Sequence, residues 1–138
     1  MESKHAIIII KNKNGEYLQY YDSRWDCYLF PNCKIDDNLN IKNVEEAISG
    51  LNVNVIDISM KMDKVHTKFS QSAKVNKEYH HYFYLVKVDD EKNIMINKEF
   101  MINGINYKWF SYKKLLDDKR IREVNSDIIE FVKEIENM

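Results

Sequence analysis

The sequence predicts an α+β fold, a mixed β-sheet sandwiched by helices in an α/β/α arrangement, and three observations carry that prediction. His5–Lys11 (HAIIIIK) and Glu78–Val88 (EYHHYFYLVKV) are apolar enough on both faces to lie buried in the middle of a sheet. Ile41–Leu51 sets Ile41, Val44, Ile48 and Leu51 three and four residues apart, the stripe of an amphipathic helix lying between strands. Ser126–Asn137 closes the chain with a second stripe of Ile128, Ile129, Phe131, Val132 and Ile135. Strands, a helix, more strands and a last helix bury their apolar faces by layering helices on a sheet.

The remaining elements follow in order. Asn12–Gly15 is a hairpin turn, because Asn and Gly tolerate positive φ, and Glu16–Tyr21 returns as a strand. Asp22–Asp26 is a loop carrying Arg24 and Trp25, and Tyr28–Phe30 is a short strand stopped by Pro31, which lacks a donor. Val53–Val65 alternates as a long half-buried strand whose phase slips near Asp57. Lys64–Lys77 is polar without a period and reads as a loop, its His66, Lys68, Lys74 and Lys77 available to meet phosphate or simply solvated. Asp89–Asn93 is a turn, Ile94–Phe100 and Ile105–Tyr112 are short strands about Gly104, and Ser111 caps a short helix holding Leu115 and Leu116. Asn125 or Ser126 caps the last helix.

At 138 residues the chain is expected to form one domain, residues 1–138, with 1–4 as a tail. Its 21 basic and 22 acidic residues leave a formal charge of −1, so no global field draws DNA or a membrane surface. No apolar run approaches the ~18 to 20 residues of a membrane span. Met1–His5 leads into only a short apolar run with no signal-peptide pattern, so the expectation is a cytoplasmic protein, monomer or homodimer, with Cys27 and Cys33 as reduced, mostly buried thiols. His80 and His81 are adjacent but face opposite sides of a strand, which argues against a zinc site. A hydrogen-bonded histidine among tyrosines is the expected state of either, since no carboxylate partner is identifiable nearby in sequence.

Trp25, the Phe30-Pro31 step, Lys34-Ile35, the helical run ending at Gly50-Leu51, and the late Trp109 with Leu115-Leu116 together resemble the Nudix superfamily. The resemblance runs from Ala6 to about Val132 and implies the family's α/β/α sandwich. It also implies a site where Mg²⁺, held by glutamates on one helix face, activates water against a nucleoside diphosphate linked to another group. The family's motif is broken here. Asn32 and Cys33 replace its glycines, and with Cys33 as the second glycine its charged positions fall on Leu39, Ala47, Ile48, Leu51 and Asn52. Anchored on Gly50-Leu51 instead, they fall on Asn43, Val44, Ala47 and Ile48.

The resemblance therefore implies a Nudix-like domain with a degenerate motif, binding a nucleotide-type ligand or a partner protein without metal-dependent hydrolysis and without a cofactor. Arg24, Trp25, Phe30 and Lys34 are the expected contacts, aromatic rings stacking a base and cations meeting phosphate; core packing is the other reading of Trp25 and Phe30. The alternative is an active hydrolase that holds Mg²⁺ through Asp36, Asp37, Glu45 and Glu46, with catalytic acids drawn from Glu45, Glu46, Glu91 and Glu99. A purely structural subunit is a third reading. Glu45 and Glu46 are adjacent, so on a helix they point roughly 100° apart and cannot form a one-sided cluster.

Overall fold

A computed structural model describes residues 2–35, 41–51, 54–70, 74–89 and 99–137. Eight strands form one mixed sheet: β1 (Glu2–Lys11), β2 (Glu16–Asp22), β3 (Cys27–Leu29), β4 (Asn32–Lys34), β5 (Asn54–Ser70), β6 (Val75–Asp89), β7 (Glu99–Ile102) and β8 (Ile105–Ser111). Among the described residues four helices join them, α1 (Ile41–Ser49), α2 (Tyr112–Asp117), α3 (Lys119–Val124) and α4 (Ser126–Glu136). The sheet runs β5-β6-β1-β2-β8-β7, with β1 and β6 parallel and the other pairs antiparallel.

β1 and β2 leave their shared turn paired at Lys11 and Tyr17 and then separate. β4 takes the edge of β1 from His5 to Ile7, and β3 takes the edge of β2 from Tyr20 to Asp22, so the Phe30-Pro31 step bridges the gap. The amide of Ile8 donates to the carbonyl of Pro31 at 2.8 Å, where proline needs only to accept. The two-residue turn between β7 and β8 is Asn103-Gly104, both at positive φ (51° and 79°), the twist a tight hairpin requires.

Alternation along β1 divides the core. Ala6, Ile8 and Ile10 face α1, packing with Leu18, Tyr84, Val86, Trp109, Val44, Ile48 and Leu51. Ile7 and Ile9 face the other helices, packing with Tyr17, Phe83, Leu115, Ile121, Phe131 and Val132. Each fully buried isoleucine contributes about 1.5–3 kcal/mol, which is why a strand apolar on both faces takes the central position.

Several boundaries differ from the sequence reading. Glu2–Lys4 are no tail, because they pair with Glu78–His80 of β6. The expected loop at 64–77 is mostly strand: β5 runs to Ser70 and β6 starts at Val75, paired throughout. Backbone hydrogen bonds sustain a ladder that carries no apolar alternation to reveal it. Two bulges, at Val55/Asp57 and Met60/Met62, account for the phase slip near Asp57. Ile41 is exposed rather than part of the core stripe of α1, and residues 94–98 of the strand expected at Ile94–Phe100 lie outside the described residues. α3 and β4 have no counterpart in the sequence reading.

Candidate functional site

On the α1 face, β2 and β8 set Tyr20 beside Tyr107 in direct register, and Phe100 of β7 stacks on Tyr107 with centroids 5.3 Å apart and planes 12° from parallel. All three rings are partly exposed, so they form a shelf at the rim of the core that contains α1. Asn32 of β4 donates through Nδ2 to the Tyr20 hydroxyl at 3.3 Å and to the Phe30 carbonyl at 3.1 Å. Burial raises the pKa of both tyrosines, so each phenol stays a donor at neutral pH. Two residues along from Tyr107, Trp109 is buried against Leu18, and its indole N–H has no hydrogen-bond partner. A buried donor left unpaired costs about 1–3 kcal/mol. The shelf thus offers flat aromatic area, two hydroxyls and an amide, with the unpaired indole N–H of Trp109 buried in the adjoining core.

Helix α1 borders this face but adds little polarity to it. Val44 and Ile48 point inward and are buried, whereas Glu45, Glu46 and Ala47 are exposed. The carbonyl of Asn43 accepts from the Cys33 thiol at 3.8 Å, and burial raises that thiol's pKa, leaving it protonated. Magnesium takes several hard oxygen ligands in octahedral geometry. α1 turns an aliphatic side to the sheet, and among the described residues no three His, Cys, Asp or Glu side chains converge. The side chains of α1 do not fit a magnesium site. Asp36, Asp37 and Glu91 lie outside the described residues. Glu99 pairs with Lys108 at 3.3 Å, and Lys108 lies over Tyr28 and Phe110 on the opposite face, so Glu99 is not brought to α1.

The contacts expected from sequence are dispersed. Phe30 is a correction: at 1% exposure it packs in the core against α2–α4 and presents no ring to a base. Trp25 is 51% exposed, but its carbonyl accepts both Nη2 and Nε of Arg120 at 2.8 and 3.2 Å, fixing the loop to α3. Arg24 is held by Asp22 through Nη2 to Oδ2 at 2.9 Å and Nε to Oδ1 at 3.3 Å. That guanidinium holds the Asp22 carboxyl below the usual carboxylate range. Lys34 is exposed on β4 beside His5. Tyr20, Phe100, Tyr107 and Trp109 share a face through pairing between strands far apart in sequence; the alternation of each strand was readable, its register was not.

A second polar constellation lies along the β5–β6 hairpin. His80 Nε2 meets Asp63 Oδ2 at 2.7 Å, and the Tyr82 hydroxyl meets His80 Nδ1 at 3.1 Å with the two rings stacked. The histidine therefore has the carboxylate partner that local sequence did not disclose. Cys27 and Cys33 are free thiols. Among the described residues no helix is long and apolar enough to cross a membrane.

No protein-family model matches the chain, and no curated protein matches its sequence. Solved structures do match. An Ap4A hydrolase of C. elegans aligns at 16% identity and TM-score 0.56 over 98% of this chain and 99% of its own. A Nudix hydrolase of Nitrosomonas europaea aligns at 11% identity and TM-score 0.58, covering 97% and 87%. A Nudix-family hydrolase of Clostridium perfringens aligns at 12% identity and TM-score 0.58, covering 96% of both chains.

Proposed function

We propose that this chain, whose fold is that of the Nudix hydrolases, binds a nucleotide-type ligand on the shelf beside α1 and does not hydrolyse it with a metal. One relationship supports the reading: Trp109 keeps an unpaired buried N–H behind the Tyr20, Tyr107 and Phe100 rings, while α1 turns only Val44 and Ile48 to the same core. Stacking on aromatic rings is tolerant of base identity and is worth about 1–3 kcal/mol per base. A base whose acceptor reached the buried indole N–H would gain selection without charge. The setting is the cytoplasm, where two free thiols persist reduced.

The experiment is a thermal-shift screen of ADP-ribose, dinucleoside polyphosphates and nucleoside triphosphates, with and without Mg²⁺ or Mn²⁺, beside an assay for released mononucleotide. A compound that raises Tm without metal and is not turned over is the expected result, because a ligand specific to the folded state stabilises it by mass action. Metal-dependent turnover abolished by Glu46→Gln would overturn the proposal in favour of an active hydrolase. No shift with any nucleotide would turn the search to a protein partner.

A further inference from the structure

The sheet ends on one side at β5, and among the described residues only β6 pairs with it. β5 is 17 residues long, whereas a typical strand has about 5–6. Sheet edges are usually kept short, charged or covered, because a row of unpaired N–H and C=O groups is a template for another strand. The β5 edge is long, and it also carries wet apolar side chains: Ile56 is 58% exposed, Met60 52% and Val65 53%. Two bulges interrupt its pairing with β6, and their extra residues, Ile56 and Lys61, have no partner position on that strand. Asp57 and Lys61 are exposed, and among the described residues no ion pair engages either.

About Ser59 this strand is a palindrome in chemical character. Ile56-Asp57-Ile58 precedes the serine and Met60-Lys61-Met62 follows it, so on reversal each apolar residue meets an apolar one and the acid meets the base. Residues directly opposite across an antiparallel pair interact, opposite charges favourably and like charges not. Two copies of β5 related by a two-fold axis at Ser59 set Asp57 opposite Lys61 twice, Ile58 opposite Met60 twice and Ile56 opposite Met62 twice. Ile58 and Met60 lie on one side of the sheet, because they pair with Val86 and Tyr84 of the core cluster that contains α1. We propose that the β5 edge is a homodimer interface, where residues 56–62 of two copies pair antiparallel and join their sheets into one. Such a contact is isologous and closes at two copies. The other edge strand, β7, has only four residues and gives little length for a further copy. A foreign peptide needs no symmetry about Ser59; a second copy of this chain does.

The test is sedimentation equilibrium of the whole protein across the micromolar to millimolar range, where a reversible dimer is expected. Asp57→Lys and Lys61→Asp each set like charges opposite one another twice, so each should raise the dimer dissociation constant on the order of tenfold. The double variant Asp57→Lys/Lys61→Asp exchanges the two charges and should return the constant close to that of wild type. Both side chains are exposed, and circular dichroism with thermal unfolding shows that the variants fold. Monomer at every concentration, a dimer indifferent to the single variants, or a dimer that the double variant fails to restore would each overturn the interface. The shelf of Tyr20, Tyr107 and Phe100 lies toward the β7 edge, away from β5, so the two readings stand or fall separately.

Discussion

His80 Nε2 and Asp63 Oδ2 lie 2.7 Å apart across the β5–β6 ladder, a diagonal contact between the Asp63/Tyr82 and Val65/His80 positions. Tyr82 completes the line through His80 Nδ1. Asp63 is 54% exposed at its side chain, which limits the pair to the upper end of what a surface contact contributes, about 1 kcal/mol. Asp63→Asn and His80→Gln should each lower stability by about that amount, and the two together by less than the sum. Urea unfolding of the two single variants and the double variant checks this; strict additivity would mean the contact contributes nothing.

Phe30 and Trp25 have similar aromatic character but opposite surroundings. Phe30 is fully buried among the residues facing α2–α4, so Phe30→Ala should cost about 3–5 kcal/mol and reduce ligand binding only through lost folding. Trp25 is half exposed and ties to α3 through its main-chain carbonyl, which alanine retains. Trp25→Ala should change stability by about 0.5 kcal/mol or less. Denaturant midpoints separate the two, and equal losses would refute the assignment.

His5 makes stability depend on pH. Its folded pKa lies below 6.5 because burial and the Lys34 charge disfavour the imidazolium, so between the two pKa values the unfolded chain binds more protons than the folded one. Stability must therefore decline as pH falls through 6.5 and level off below the depressed folded value. His5→Gln should remove that part of the slope, read as Tm against pH for both proteins.

How far the sequence disclosed all this depended on the range of the interactions. Ile7–Ile10, the Val44/Ile48 stripe and the Ile128–Ile135 stripe are local patterns set by burial, and they marked the sheet centre and two helices. The three residues of β4 and the six of α3 are too few to show a period, although Asp118, whose carboxylate accepts the amide of Ile121 at 3.0 Å, is a capping signal for α3. The ends of the β5–β6 hairpin are paired as far as Ser70 and Val75, but the sequence there is mostly polar, so composition made them look like a loop. Phe30 illustrates a different gap: an aromatic before proline identifies a bend but not which way the ring turns. The shelf depends on register between distant strands, which alternation within one strand does not specify.

Trp109→Phe separates the polar role of the indole from its bulk. Truncating a buried aromatic ring ordinarily costs stability through lost contacts and residual volume. Here the substitution also removes an N–H that is buried without a partner, a penalty of about 1–3 kcal/mol in the wild-type chain. The two effects oppose each other, so the free protein should unfold within about 1 kcal/mol of wild type, unlike Trp109→Ala, which should lose about 3–5 kcal/mol. Affinity for a nucleotide that raises Tm should nevertheless fall about five- to tenfold in Trp109→Phe, the value of one hydrogen bond in a dry site. Calorimetric titration of both proteins with that nucleotide decides the matter. Unchanged affinity would show that the indole N–H does not face the ligand, and would leave stacking on Tyr107 and Phe100 as the sole contribution of the shelf.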